Sequence, residues 1–367
     1  MDINIDSPCG HPRCPKSMDI NIDIKSLDFM ELQNFFKEIG EKVFRAKQVY
    51  QWLHEKLAGS FEEMTNISKE LRQKLEERCR LTCLKPLEIR TSKIDGTRKV
   101  LFRLQDGTMI ESVLMKYKHG NSVCISSQAG CRMGCRFCAS AIGGLDRNLT
   151  VSEMLDQIYR IQKITGERVS NVVVMGMGEP LDNYQNIVKF IRIISDSQGL
   201  HISQRNITLS TCGLVPQMRS LAEEDMQITL ALSLHAARQE KREELMPVAK
   251  KYGLEEVINA CRYYFEKTGR RITFEYSLIE GVNDSSGDAD ALCRLVKGIN
   301  CHVNLIPVNP VKERDYVQSR KNIILDFKNK LEKYGINVTI RREMGRDISG
   351  ACGQLRRSYM DKNMEAP

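Results

Sequence analysis

No stretch of this 367-residue chain is apolar for long enough to span a bilayer, and no charged-then-apolar leader opens it. Membrane insertion and export are therefore not expected, and a cytoplasmic location is. Charge of one sign is not in large excess either. The net charge of +8 suits a nucleic-acid partner but is shared by many enzymes of small molecules. Also missing is the even scatter of cysteines that marks a secreted disulfide scaffold. The chain has 13 cysteines, an odd number, and they cluster. In a reducing cytoplasm, clustered cysteines point to metal binding or catalysis. What is present suffices for a core. Hydrophobic residues make up 41%, and the length holds one large domain with a small accessory one.

The hexapeptide MDINID occurs at residues 1–6 and again at 18–23. This reads as a duplicated leader over 1–23, disordered, with Met18 the expected start; Cys9, His11 and Cys14 fall in that tail. Residues 24–95 form an accessory domain read as helical, because FMELQNFFKEIG, FRAKQVYQWLHEKL and SFEEMTNISKELRQKLEERC carry apolar residues at helical spacing. Lys42, Arg45, Lys47 and Lys56 lie around its second helix, either meeting phosphates or forming a solvated face. Residues 96–120 read as a β-hairpin turning at Asp106-Gly107.

From 121 to 345 six short apolar strands, SVCISS, NVVVMG, NITLST, ITLALSL, ITFEYSL and HVNLIP, alternate with amphipathic helices. One of these helices is announced by Thr150 and Glu153 as a capping box. Six such units mean a parallel α/β sheet, an open doubly wound one or a barrel, with functional residues at the strand ends. Residues 346–367 form a C-terminal segment.

Residues 124–138 read CISSQAGCRMGCRFC. The last three cysteines, Cys131, Cys135 and Cys138, are spaced C-x3-C-x2-C, and Cys124 stands seven residues upstream. A zinc ribbon needs two ligand pairs, and the one C-x2-C here has no partner pair. Ferredoxin-type runs use four cysteines at other spacings. In the loop after the first strand of a six-unit α/β pattern, C-x3-C-x2-C resembles the signature of the radical SAM superfamily. Phe137 supplies the aromatic usual before the last cysteine. The resemblance implies that the three thiolates hold three irons of a [4Fe–4S] cluster. The fourth iron is left for the amino and carboxylate groups of S-adenosylmethionine.

Further motifs narrow the likeness. NLTVSE, MGMGEPLDN, ITLSTCG, LALSLHA, VNLIPVNP and DISGACGQL occur in the order of the RlmN/Cfr family of RNA adenine methyltransferases, and the resemblance runs from about residue 28 to 357. It implies an incomplete (β/α)6 barrel behind a small N-terminal helical domain and a hairpin lead-in. It also implies C2-methylation of an adenosine in the peptidyl-transferase region of 23S rRNA, and of the adenosine 3′ of the anticodon in tRNA. Pro180 in MGMGEPLDN looks like the C2-methylating branch; the C8-methylating branch tends to carry alanine there.

The implied mechanism uses two S-adenosylmethionine molecules per turnover. One methylates Cys352. The other, cleaved at the cluster, gives a radical that takes hydrogen from the S-methyl group, and the resulting methylene radical adds to the adenine carbon. Glu111, thirteen residues before Cys124, matches the base that removes the substrate proton. Cys124 matches the resolving thiol, forming a transient disulfide with Cys352. Gly178 and Glu179 match the contact to the methionine amino group, and Ser210, Ser233-Leu234-His235 and Asn309 the other cofactor contacts. On its own a cysteine on a strand, like Cys124, reads as a small buried hydrophobe; Glu111 reads as a solvent-facing strand residue. Cys79, Cys83, Cys212, Cys261, Cys293 and Cys301 read mostly as core. Arg341, Arg342 and Arg346 either hold RNA phosphates or mark an exposed strand end. The implied partners are RNA and an external electron donor such as flavodoxin or ferredoxin, and the expected state is a monomer.

Overall fold

A computed structural model describes residues 22–311, 313–348, 355, 356 and 359. Residues 1–21 of the leader and Cys352 lie outside the described residues. Three helices come first: α1 (Phe29–Glu38), α2 (Phe44–His54) and α3 (Lys69–Arg78). A capping box fixes the start of α1. The Asp28 carboxylate accepts the Glu31 N–H, and the Glu31 carboxylate accepts the Asp28 N–H, each at 2.8 Å. Leu32, Phe36, Val49, Tyr50, Leu71 and Leu75 from these helices meet in a small core separate from the main one.

Beyond α3 the helical expectation for residues up to 95 fails. Lys85–Thr91 is a strand, β1, with Pro86 at a register shift against its neighbour. Proline is tolerated at such an irregularity on a sheet edge, and KPLEIRT lacks the apolar spacing a helix needs. β1 pairs antiparallel with β2 (Arg98–Arg103), and β2 with β3 (Met109–Tyr117). The β2–β3 turn is the expected one: Asp106 Oδ1 accepts the Thr108 N–H at 3.0 Å, and Gly107 adopts φ 87°.

The six expected strands follow as β4 (Gly120–Cys124), β5 (Val169–Val174), β6 (Ile207–Thr211), β7 (Thr229–Ser233), β8 (Ile272–Leu278) and β9 (Cys301–Pro307), all mutually parallel. Helices α4 (Val151–Thr165), α5 (Tyr184–Ser195), α6 (Val215–Ala222), α7 (Gln239–Leu245), α8 (Leu254–Thr268), α9 (Ser286–Val296) and α10 (Lys321–Lys333) connect them and lead out of β9. The Thr150–Glu153 capping box of α4 is present, and Gly166 ends that helix at φ 68°. A seventh parallel strand, β10 (Asn337–Ile340), extends the sheet beside β9. Its four residues are too short to register as a strand in the sequence.

The ten strands lie in one sheet in chain order, and among the described residues no pairing joins β1 to β10. The barrel is therefore open. Strand alternation gives its two faces opposite chemistry. Val172, Leu209, Leu230, Phe274 and Val303 face the helices and build the main core. The other face carries Lys99, Glu111, Cys124, Ser210, Ser233 and Glu275. Registers place Ser233 beside Glu275, Glu275 beside Asn304 and Asn304 beside Thr339. A barrel with so polar an interior is lined for a ligand rather than filled by its own side chains.

The helical domain is tied to the barrel by a buried ion pair. Lys25 Nζ lies 2.6 Å from Asp156 Oδ1 on α4, both fully buried, and also donates to the Thr82 carbonyl at 2.6 Å. Asp156 Oδ2 accepts the Leu84 N–H at 2.6 Å, so the carboxylate is satisfied on both oxygens. Beside it His54 Nδ1 meets the Tyr159 hydroxyl at 2.9 Å. Burial, helped by the Lys25 charge, pushes the His54 imidazole down to about 3.

The unfolded chain takes up that proton near 6.5, the folded chain only near 3. This stabilisation is therefore full above pH 6.5 and drains as pH falls from there towards 3. At pH 5 the loss due to His54 is about 2 kcal/mol. In urea unfolding at pH 7 and pH 5, His54→Gln should lose about that much less than wild type between the two pH values.

Candidate active site

The loop that carries the three cysteines leaves the sheet just after β4. A short strand, Gln128–Gly130, pairs antiparallel with Leu145–Asn148, so the loop is a hairpin excursion with a fixed base. The Cys131 N–H donates to the Gly144 carbonyl at 2.7 Å. A Cβ on Gly130 would lie 2.2 Å from that same oxygen, so only glycine fits. The far side of the loop rests on α7, with the Arg136 N–H on the Leu245 carbonyl at 2.9 Å.

All ten described cysteines are free thiols. Burial pushes the Cys131 thiol up to about 12 and the Cys135 thiol upward as well, with the neighbouring cysteines adding to both. The three thiols are thus electrostatic neighbours. Among the described residues no three His, Cys, Asp or Glu side chains converge on a single ion. Thiolates are the ligands that iron–sulfur clusters take, so the three free thiols on this one loop fit a [4Fe–4S] group.

The MGMGEP loop after β5 is pressed against the root of the cysteine loop. The Met177 N–H donates to Ser126 Oγ at 3.1 Å, and the Ser127 N–H to the Met177 carbonyl at 2.9 Å. Gly176 and Gly178 permit this approach: a Cβ would fall 2.6 Å from the Ile125 oxygen and 2.5 Å from Gln128 Cβ, respectively. The buried Glu179 carboxylate bridges two strand ends, accepting the Leu181 N–H at 3.1 Å and the Cys212 N–H at 2.7 Å. Burial raises its pKa, and the Cys212 N–H pulls the other way.

Ser210 lies on β6 with its hydroxyl on the Val174 carbonyl at 3.0 Å. Ser233 ends β7, and Leu234 and His235 follow it, both buried. His235 holds the left-handed backbone at φ 56°, with its carbonyl accepting from Asn283 Nδ2 at 2.6 Å. Its Nδ1 accepts the Ser277 N–H at 3.0 Å, which places the neutral ring's proton on Nε2. Burial, with Arg242 adding, lowers this imidazole to about 3, so it is neutral at pH 7. The ring sits edge-on to Phe137 at 4.8 Å between centroids, touching the cysteine loop. Asn309 is exposed in the loop after β9. These residues come from four strand ends and turn to one end of the sheet.

Glu111 and Cys124 lie deeper on the inner face. Contrary to the solvent-facing expectation, Glu111 is buried. Its Oε2 lies 2.9 Å from Lys99 Nζ on β2, and Oε1 accepts the Arg356 N–H at 2.5 Å. Cys124 pairs across the sheet with Val113 and Val173, and it packs with Val113 and Met115 against Met344. Burial raises the Cys124 thiol, while Arg341, the Met175 N–H and Lys99 pull it back. Met344 precedes Cys352 by eight residues and Arg356 follows it by four. Both described flanks of the Cys352 segment thus touch this part of the inner face. Arg341, Arg342 and Arg346 are exposed, and Arg346 stands 3.9 Å from Glu343. Of the cysteines read as core, Cys83 is exposed and the other five are buried.

Lys99, Gln128 and Arg242 were not singled out by the sequence. Lys99 was within reach: a turn at Asp106-Gly107 sets Leu101 opposite Glu111, which puts Lys99 on the same face one step away. Gln128 holds the Glu179 N–H through Oε1 at 2.8 Å, a role fixed by loop geometry that no pattern announces.

Comparison with known proteins fits this arrangement. Residues 22–81 match the family model "Ribosomal RNA large subunit methyltransferase N-terminal domain", and residues 125–292 match "Radical SAM superfamily". A protein of Lachnoclostridium phytofermentans, named "Probable dual-specificity RNA methyltransferase RlmN", is 66% identical over 349 residues, covering 95% of this chain and 98% of its own. One of Clostridium perfringens with the same name is 56% identical over 336 residues, covering 91% and 97%. The crystal structure of a radical SAM methyltransferase from Sphaerobacter thermophilus superposes with a TM-score of 0.87 at 42% identity, covering 91% of this chain and 98% of that one. With the cysteine loop, the glycine-dependent seating of MGMGEP and identity across nearly the whole length, the chain belongs to the RlmN family of radical SAM methyltransferases, enzymes dependent on S-adenosylmethionine.

Proposed function

We propose that this enzyme methylates C2 of an adenosine in the peptidyl-transferase region of 23S rRNA, and of the adenosine 3′ of the anticodon in tRNA, through an S-methyl group on Cys352. One observation carries the reading: the buried Glu111 carboxylate, paired with Lys99 near Cys124, is bonded by the N–H of Arg356, four residues beyond Cys352. A strand glutamate held in that way is arranged for proton transfer rather than solvation. The names of the relatives and the match of the N-terminal residues support RNA as substrate, and Pro180 supports C2 over C8.

When bound, the cluster and two S-adenosylmethionine molecules per turnover supply the methyl group and the carbon radical that an electron-poor amidine carbon requires. Cys131, Cys135 and Cys138 would hold the cluster. Gly178 and Glu179 would meet the methionine amino group, and Ser210, Ser233, Leu234, His235 and Asn309 the rest of the cofactor. The chain's own groups do the remaining work. Cys352 carries the methyl carbon to the base and stays joined to C2 through it. Glu111 takes the C2 proton, its carboxylate held by Lys99, and the one electron that the adduct must also lose would go to the bound cluster. The Cys124 thiolate then attacks the Cys352 sulfur. An S–S bond forms as the C–S bond breaks, and the departing electron pair stays on carbon, which takes a proton to complete the methyl group. Thiol reductants of the cytoplasm reset the pair.

The helical domain and Arg341, Arg342 and Arg346 grip RNA through its shape and phosphates. An external donor of the flavodoxin or ferredoxin class delivers electrons to a monomeric enzyme. The test is methyl-labelled S-adenosylmethionine with a 23S rRNA fragment and a tRNA, the modified nucleoside then being identified by mass spectrometry. Label on adenine C2 is expected; label on C8 would overturn the reading.

A further inference from the structure

Arg242, on α7, is fully buried, the largest side chain so enclosed among the described residues. Its Nη2 donates to the Cys212 carbonyl at 2.7 Å and its Nε to the Leu234 carbonyl at 3.3 Å. The guanidinium therefore spans the ends of β6 and β7, directly behind the cofactor-facing loops. Its third nitrogen, Nη1, is buried without a hydrogen-bond partner among the described residues. A buried cation with an idle donor is costly unless something completes it. The helix that carries it also supports the cysteine loop: the Leu245 carbonyl accepts the Arg136 N–H, and Pro247 Cγ lies 3.5 Å from where a Cβ on Gly134 would stand. The guanidinium charge pulls the Cys135 and Cys261 thiols down against their burial. No other function proposed for this chain uses it.

We propose that Arg242 is a positioning residue for the iron–sulfur centre, its Nη1 donating a charge-assisted hydrogen bond to the Cys135 thiolate or the sulfide beside it. This rests on the assignment of Cys131, Cys135 and Cys138 as the cluster's ligands. A cluster on three thiolates carries net negative charge and gains more on reduction. A fixed buried cation therefore stabilises the reduced form more and raises the potential. Arginine suits the task because its fork stays charged while two nitrogens hold the strand ends and the third turns to sulfur.

The test is an anaerobic potentiometric titration, followed by EPR, of the reconstituted full chain as wild type, Arg242→Lys and Arg242→Gln, without added S-adenosylmethionine. The equilibrium constant for reduction should fall about tenfold or more in Arg242→Gln, about 59 mV for one electron. Arg242→Lys, which keeps the charge and loses the fork, should fall in between. In pulsed EPR of the wild type labelled with guanidino-15N arginine, the reduced centre should couple to that nitrogen, and Arg242→Lys should lose the coupling. This second measurement decides the matter even if Arg242→Gln does not fold. A constant within twofold of wild type in the variants, or no arginine coupling in the wild type, would overturn the inference. A chain that assembles no cluster would instead overturn the ligand assignment beneath it.

Discussion

Cys124→Ala should stop the enzyme after one turnover, with RNA covalently joined to Cys352. On the proposed mechanism, addition to the base needs only Cys352 and the bound cofactor, whereas release needs a thiol to attack the Cys352 sulfur. Multiple-turnover rate should fall on the order of a thousandfold or more, and a protein–RNA adduct should persist on a denaturing gel. The fold should survive. Cys124 belongs to a small cluster with Val113 and Met115, apart from the main core, and trimming one sulfur there costs about 1 kcal/mol. The wild-type release step should also depend on pH. Burial raises the Cys124 thiol, so its reactive thiolate is scarce at neutral pH. The rate should climb about tenfold per unit as pH rises towards that pKa. A Cys124→Ala enzyme that turns over normally without adduct would remove Cys124 from the mechanism.

Glu111→Gln should lower turnover by about 10²- to 10⁴-fold, the usual contribution of a positioned base. The amide keeps an oxygen for the Arg356 N–H and fills the same space, but it cannot take the C2 proton. The stalled species should therefore be an adduct that retains the substrate's C2 hydrogen, visible with C2-deuterated adenosine. Loss of the carboxylate also leaves Lys99 buried beside a neutral group, which destabilises by roughly 3–5 kcal/mol. The double variant Lys99→Met with Glu111→Gln separates the two effects. It should recover much of the stability and none of the turnover. Activity within tenfold of wild type in Glu111→Gln would assign proton removal elsewhere.

Most of this architecture was legible because the sheet writes its period into the chain. The six parallel strands, the Thr150 capping box and the Asp106-Gly107 turn all depend on local rules, and each is present. β1 and β10 were missed for opposite reasons. β1 follows three true helices and is mostly exposed, so no apolar alternation marks it; β10 has only four residues. At the site, spacing identified the cysteine loop but not its supports. Strand alternation alone makes Glu111 an exposed residue, because its burial comes from Lys99 and Arg356, partners 12 and 245 residues away. Arg242 shows the same limit: a lone arginine carries no pattern, and only the folded strand ends reveal what it holds.

The most direct test of the central claim is the mass of the C-terminal peptide bearing Cys352, taken from enzyme incubated with S-adenosylmethionine and reductant but no RNA. Cys352 should carry one added methyl group, labelled when methyl-labelled S-adenosylmethionine is used, and that label should appear on adenine C2 when RNA is then supplied with unlabelled S-adenosylmethionine as the radical source. An unmodified Cys352 in an enzyme that still methylates RNA would contradict the account.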